Sequence, residues 1–393
     1  MSKFEAFNLL TNIVRKGNGR ARKFNLSFVW LSFLFWTSSY ERALNDIKNF
    51  LRKGSSGELY CWGGIVYYFL KDYLRASTFF EKAEALDDKS FEIKYFLAET
   101  YYARSEIEKA EAKYRWLIGS SRFKSIGLYG AGCCLYKNHR YDEAVVFFNR
   151  ALNHADEESR VKILNKKGLS LMAQGKLKEA EMCFNECLKH SPNDDFIRMN
   201  LALILSKTGD YKRAEEFYRK ILSRFPYDIT AINNLALCLA ARGKYEEALE
   251  YCNRGLRIDP INGDLLVNKG YCLYKLRDYK NAMECLNEAE RTVKDDIILL
   301  NNKALCFMAL ENYDEALKIF DRVLQRNQSD YVLINKAYCL IKKELYGEAL
   351  ECLGKVEDKN SKRPDIYTLQ GICFEKLGDS EKAVEYFNKS LIA

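Results

Sequence analysis

The stretch NKGYCLYKLRDYKNAMECL, Asn268–Leu286, has the side chains of a chemical site: two cysteines, three tyrosines, two asparagines and several lysines. Two other stretches decide how to read it. NNLALCLAARGKYEEALEYC (Asn233–Cys252) and NNKALCFMALENYDEALKIF (Asn301–Phe320) carry the same skeleton. In each, a small residue is followed nine positions later by a tyrosine and three further on by an alanine. In the first stretch these are Gly270, Tyr279 and Ala282. A pattern that recurs at fixed spacing is a structural tile before it is a catalytic motif.

Anchored on the alanine, the tile occurs eleven times, at Ala43, Ala76, Ala110, Ala144, Ala180, Ala214, Ala248, Ala282, Ala316, Ala349 and Ala383. The steps are 33 or 34 residues, except 36 from Ala144 to Ala180. Twelve residues before each anchor stands glycine or alanine; the first copy, with Leu31, is the exception. Four residues after most anchors stands an aromatic, as at Phe80, Tyr114, Phe148, Phe184, Tyr218, Phe320 and Phe387.

Within each copy apolar residues recur at helical spacing in two runs. A polar break separates them, with glycine at Gly175, Gly209, Gly243 and Gly378. A glycine there takes the left-handed conformation that ends a helix. Small residues at the crossing let two helices approach, and the aromatic fills the space beside them. Pro192, Pro226 and Pro260 each fall twelve residues after an anchor, where a second helix must stop. The tile is therefore a helical hairpin, and the chain an array of them.

These residues and their period resemble the tetratricopeptide repeat family, over roughly residues 24–393. The resemblance implies an all-α, right-handed superhelical solenoid of about eleven helix-turn-helix repeats. It also implies a non-catalytic protein-interaction scaffold. No further capping helix follows the last copy, which implies a fraying end or one covered by a partner. Pentatricopeptide repeats, which read RNA, share a similar period but fit the small-residue and aromatic spacing less well.

Composition agrees. Hydrophobic residues are 48% and charged residues 30%, enough for a core and a solvated surface, and only four prolines interrupt the chain. A solenoid needs no division by length, because each repeat packs on its neighbours. The expected organisation is 1–23 as an amphipathic helix and basic linker, 24–56 as a degenerate first repeat, and 57–393 as ten repeats in one continuous solenoid. The easiest interruptions are Ala155–Arg160 and Glu357–Pro364.

The amino-terminal part differs from the rest. Residues 1–56 carry a net charge of +7, against +8 for the whole chain. Ser2 and Glu5 form a capping-box pattern, and RKGNGRARK (Arg15–Lys23) follows. The apolar run Phe24–Trp36 is thirteen residues long, short of the ~18 needed to span a bilayer. It reads as a degenerate first repeat; the alternative is a secretory signal or anchor, which a basic stretch before a short apolar run resembles. Its surplus of aromatics (Phe28, Trp30, Phe33, Phe35, Trp36) is a candidate contact for a partner or a membrane surface.

Six of the thirteen cysteines lie ten residues before an anchor: Cys134, Cys238, Cys272, Cys306, Cys339 and Cys373. Cysteine packs as a small hydrophobe, and so many unpaired thiols suit a reducing cytosol. Cys272/Cys285 and Cys339/Cys352 are the pairs that one hairpin would bring nearest. Cys183, Cys187 and His190 share a helix but lack a fourth ligand, so no metal and no cofactor are expected. The chain has no glycine-rich phosphate loop, nucleophile elbow or HExxH motif, and three histidines in all. No enzyme and no small-molecule substrate are expected.

In the family that the chain resembles, the first helix of each repeat lines the concave groove. Fourteen residues before five consecutive anchors stands asparagine: Asn200, Asn234, Asn268, Asn302 and Asn335. On the same face lie Tyr271, Tyr338, Lys207, Lys275 and Lys342. These ten are the expected peptide-binding residues, with the asparagines facing the groove as a ladder for a peptide backbone. Repeats two and three look more aromatic, with Trp62, Ile65, Tyr68, Phe69, Tyr95 and Tyr102. Relatives that clamp a peptide's terminal carboxylate use lysine and asparagine over three repeats. Lys162 and Lys166 would supply part of such a clamp, but Tyr95 and Glu99 stand where the rest should be.

The leading expectation is a cytoplasmic scaffold that binds a protein or peptide in the groove. The alternative is a membrane-associated assembly factor held through residues 1–56. A pentatricopeptide-like RNA binder is third; the chain has no basic stripe beyond residue 56 to support nucleic acid.

Overall fold

A computed structural model describes residue 35 and residues 37–53, 56–356 and 363–392. They form an all-α solenoid of twenty-one helices, with no strand among the described residues. In chain order these are α1 Tyr40–Lys53, α2 Gly57–Phe69, α3 Tyr73–Leu86, α4 Phe91–Ala103, α5 Ile107–Leu117, α6 Lys124–Lys137, α7 Tyr141–Leu152, α8 Glu157–Ala173, α9 Leu177–His190 and α10 Asp195–Lys207. They continue as α11 Tyr211–Arg224, α12 Ile229–Ala241, α13 Tyr245–Ile258, α14 Gly263–Lys275, α15 Tyr279–Ala289, α16 Ile297–Ala309, α17 Tyr313–Leu324, α18 Asp330–Lys342, α19 Tyr346–Gly354, α20 Pro364–Lys376 and α21 Ser380–Ile392. The chain divides into two compact units, Met1–Ile204 and Leu205–Ala393.

The turn explains why the tile tolerates so many sequences. Five residues before every anchor the backbone has positive φ. Gly175, Gly209, Gly243 and Gly378 occupy four of these places with φ of 75–85°. Lys71, Ser105, His139, Arg277, Glu311 and Glu344 hold six more, with φ of 59–65°. Even Ser38, ahead of Ala43, has φ 58°. The residue after the turn then starts the second helix. Asp72, Asp210 and Asp278 cap it, accepting the N–H of Arg75, Arg213 and Asn281.

The anchors pack the hairpins. All eleven alanines are buried, as are Phe80, Tyr114, Phe148, Phe184, Tyr218 and Phe320. The small residue twelve before the anchor faces that aromatic. A Cβ on Gly132 would lie 2.6 Å from Phe148 Cε1, and one on Gly168 2.8 Å from Phe184 Cζ. Pro192, Pro226 and Pro260 follow the ends of α9, α11 and α13, as their position predicts.

Two expectations change. Phe35, counted among aromatics free for a partner, is fully buried, 6.0 Å from the Trp62 ring and 5.2 Å from Phe69. Trp62, Ile65 and Tyr95, expected to line a groove, are buried as well. Phe35, Trp62, Ile65 and Tyr95 fill core rather than present themselves, because apolar area removed from water stabilises by about 25 cal/mol per Å². Ser2, Glu5, Arg15–Lys23, Phe28, Trp30, Phe33 and Trp36 lie outside the described residues, as does most of Glu357–Pro364.

Candidate functional site: the inner helix face

The first helices of successive hairpins touch one another directly: α2 with α4 and α6 with α8 in the first unit, and α12, α14, α16, α18 and α20 in series in the second. They form the inner row of each unit. Their exposed positions recur at fixed offsets from the anchor, so a side chain on one helix stands beside its counterpart one repeat on.

The five asparagines are on this row, but not as five equivalent groups. Asn200 Nδ2 donates to Asn165 Oδ1 at 3.3 Å, Asn268 Nδ2 to Asn233 Oδ1 at 2.8 Å, and Asn335 Nδ2 to Asn301 Oδ1 at 2.8 Å. Each acceptor stands fifteen residues before its own anchor in the preceding repeat. Asn234 and Asn302 have no such partner, because Met199 and Val267 occupy that place. Asn302 is nearly buried at 5% exposure, and Asn234 sits beside the buried hydroxyl of Tyr218 with Ser206. The amides therefore lie in the seam between inner helices, not on an open groove floor. A bridging amide still keeps one N–H and its own carbonyl oxygen for other partners.

Tyr271 and Tyr338 stand eleven residues before their anchors, and Lys275 and Lys342 one helical turn further on. Lys275 Nζ lies over the Tyr271 ring at 5.5 Å and Lys342 Nζ over the Tyr338 ring at 5.4 Å. Tyr338 is exposed and Tyr271 half-buried. Lys207, Lys275 and Lys342 are exposed and form no ion pair with any described residue. Lysines that face the seam behave differently: Lys303 pairs with Glu290 at 2.7 Å and Lys336 with Asp321 at 2.6 Å.

In the first unit the inner face is built otherwise. Lys137 Nζ lies over the Tyr102 ring at 4.1 Å, and Lys166 over Tyr136 at 5.5 Å. Glu99 accepts from the Tyr114 hydroxyl at 2.5 Å, and Lys162 pairs with Glu158.

All six repeated cysteines are buried. Burial pushes the Cys306 thiol up to about 12, so it is protonated and inert at neutral pH. Cys272 meets Cys252 of the preceding repeat. The hydrogen bond to Cys272, with burial, pushes the Cys252 thiol up. Cys183 and Cys187 are buried while His190 is exposed. Among the described residues no three His, Cys, Asp or Glu side chains form a metal-binding group. No described helix is long and apolar enough to cross a membrane.

Asn165, Asn233 and Asn301 were not among the expected site residues. The signal was present in the doublets Asn233–Asn234 and Asn301–Asn302. Matching each asparagine to the residue 34 or 35 positions earlier finds all three bridges.

Tetratricopeptide repeat family models match residues 95–159, 161–194, 196–260, 239–306, 307–373 and 364–391. Among solved structures the chain is similar to a tetratricopeptide repeat protein from Parabacteroides merdae, with 21% identity, 60% of this chain and 93% of that one covered, and a TM-score of 0.49. It is also similar to a thermophilic protein of this kind from Thermus thermophilus, with 22% identity, 47% and 100% covered, and a TM-score of 0.40. A third, YrrB, is a repeat protein with an unusual peptide-binding site, at 20% identity, 44% and 91% covered, and a TM-score of 0.35. No curated protein matches the chain in sequence.

Proposed function

Because the chain belongs to the tetratricopeptide repeat family, whose fold is typically a non-catalytic interaction scaffold, we propose that it holds an extended segment of a partner protein along the inner helices of its second unit. The observation that carries this reading is a row of exposed apolar side chains beside lysines that lack an acidic partner among the described residues. Leu237 and Tyr338 are 48% and 44% exposed, and among the described residues Lys207, Lys275 and Lys342 have no ion-pair partner. Apolar surface next to uncommitted charge on rigid helices is what a partner can cover with gain. Within this unit the Asn233–Asn268 and Asn301–Asn335 bridges fix the spacing of the row. Their remaining amide groups add contacts to a peptide backbone.

Site-specific photo-crosslinking in the intact chain tests this. Cross-linkers replacing Leu237 and Tyr338 should label one segment of one protein, identified by mass spectrometry. A cross-linker at Lys318, exposed on the outer helix α17, should not. Labelling confined to Lys318 or to residues 1–56 would move recognition off the inner face. It would favour attachment through the basic amino-terminal part instead.

A further inference from the structure

Over the four repeats anchored on Ala248, Ala282, Ala316 and Ala349 the inner face of the second unit has a period of two repeats, not one; the next repeat, with Thr368, Ile372 and Lys376 at these places, does not continue it. Fifteen residues before the anchors of four successive repeats stand Asn233, Val267, Asn301 and Ile334. Eleven before stand Leu237, Tyr271, Leu305 and Tyr338; seven before stand Ala241, Lys275, Ala309 and Lys342. Two kinds of repeat alternate. One offers asparagine, leucine and alanine; the next offers an apolar residue, tyrosine and lysine.

The structure shows what joins them. Asn268 reaches back to Asn233, and Asn335 to Asn301, so each bridge ties a leucine–alanine repeat to the tyrosine–lysine repeat after it. No bridge joins Asn302 to Val267. The repeats are therefore stitched in pairs, α12–α15 and α16–α19, and each pair presents one lysine lying over one tyrosine ring. The acidic residues within α12, α14, α16 and α18 are Asp264 and Asp330, both in the first turn, away from the lysines near the carboxyl ends.

Resting on the scaffold reading above, we propose that the second unit selects an extended acidic peptide whose carboxylates recur about every sixth residue. Neighbouring inner helices pack about 10 Å apart, so Lys275 and Lys342, two repeats apart, are separated by about 20 Å. An extended chain rises about 3.3 Å per residue, and six residues cover that distance. Each lysine and its tyrosine take one carboxylate, and Leu237 and Leu305 meet apolar residues between them. Single-stranded nucleic acid fits worse: it carries a charge on every nucleotide, and most of these would face leucine and alanine.

Fluorescence anisotropy with the full chain and labelled peptides of one composition tests the spacing. Two aspartates in a neutral Ser/Leu peptide are placed six, three or nine residues apart. The six-residue peptide should bind about fivefold or more tighter than the other two. Lys275→Ala and Lys342→Ala should each abolish that preference, and Lys318→Ala should preserve it. Equal binding at all spacings, indifference to both lysine substitutions, or no binding at millimolar peptide would overturn the proposal. So would tighter binding of labelled oligouridine through the same lysines. The cross-linking above reads separately: labelling from Leu237 and Tyr338 with no spacing preference sinks the six-residue rule alone, while labelling from Lys318 sinks the scaffold reading.

Discussion

Removing the Asn233–Asn268 bridge should weaken one repeat pair by a measurable and assignable amount. The bond is 2.8 Å long and both side chains are half-buried. A net intramolecular hydrogen bond contributes about 1 kcal/mol, and half-exposure lets water satisfy whichever amide is left. Asn233→Ala and Asn268→Ala should therefore each cost about 1 kcal/mol, and the double variant about the same again rather than the sum. The coupling is then about 1 kcal/mol, roughly a fivefold change in the opening constant of α14. Native-state hydrogen exchange on the amides of α12 and α14 is the suitable assay, because a solenoid opens locally before it unfolds as a whole. A parallel cycle of Asn234→Ala with Asn268→Ala supplies the control. Asn234 has no bridge to Asn268, so those two changes should add. A coupling below about 0.3 kcal/mol, the usual error for independent sites, would show that Asn233 and Asn268 are neighbours without a working bond. The pairing of repeats would fall with it.

Three other outcomes follow from particular residues. Glu311→Gly and Glu344→Gly should raise the urea midpoint, since a left-handed L-residue costs about 1–2 kcal/mol and glycine returns only about 0.5–1 of that in chain entropy; unchanged or lower midpoints would show that these turns carry no strain. Gly168→Ala should lower thermal stability despite alanine's helix propensity, because its Cβ would stand 2.8 Å from Phe184 Cζ and overpacking costs about 1–3 kcal/mol; a stabilised variant would mean that the ring can move aside. Burial pushes the Glu215 carboxyl up, but Arg219, Lys244 and Arg242 outweigh it and hold it below the usual range. The stabilisation from Glu215 is then full above the unfolded value of about 4.3 and lost as pH falls through the lower folded value. Glu215→Gln should narrow its deficit to wild type only at acid pH, and a deficit independent of pH in urea titrations would contradict the assignment.

Much of this protein is legible in its residues alone. The anchor alanines, the large residues four positions after them and the step of 33 to 36 residues determine the hairpin, since only small residues admit the crossing and a ring, or an aliphatic such as Leu286, fills the space beside it. The four turn glycines and three helix-ending prolines hold the conformations and places their chemistry dictates. Local rules of this kind suffice for a fold whose contacts run mainly between adjacent segments.

Other features depend on which residues face each other across a seam, and that stagger belongs to tertiary packing. Asn200, Asn234, Asn268, Asn302 and Asn335 stand at one offset in the sequence. The structure divides them into three that bridge and two that do not, because the bridge runs from one offset to a different offset in the preceding repeat. For the same reason Cys272 meets Cys252 of the preceding repeat, and Phe35 lies inside the core against Trp62 and Phe69. Periodicity tells which face of a helix is apolar. Only the packed arrangement decides whether a given side chain on that face is used internally or left for a partner, because that depends on distances of a few ångströms between helices a whole repeat apart.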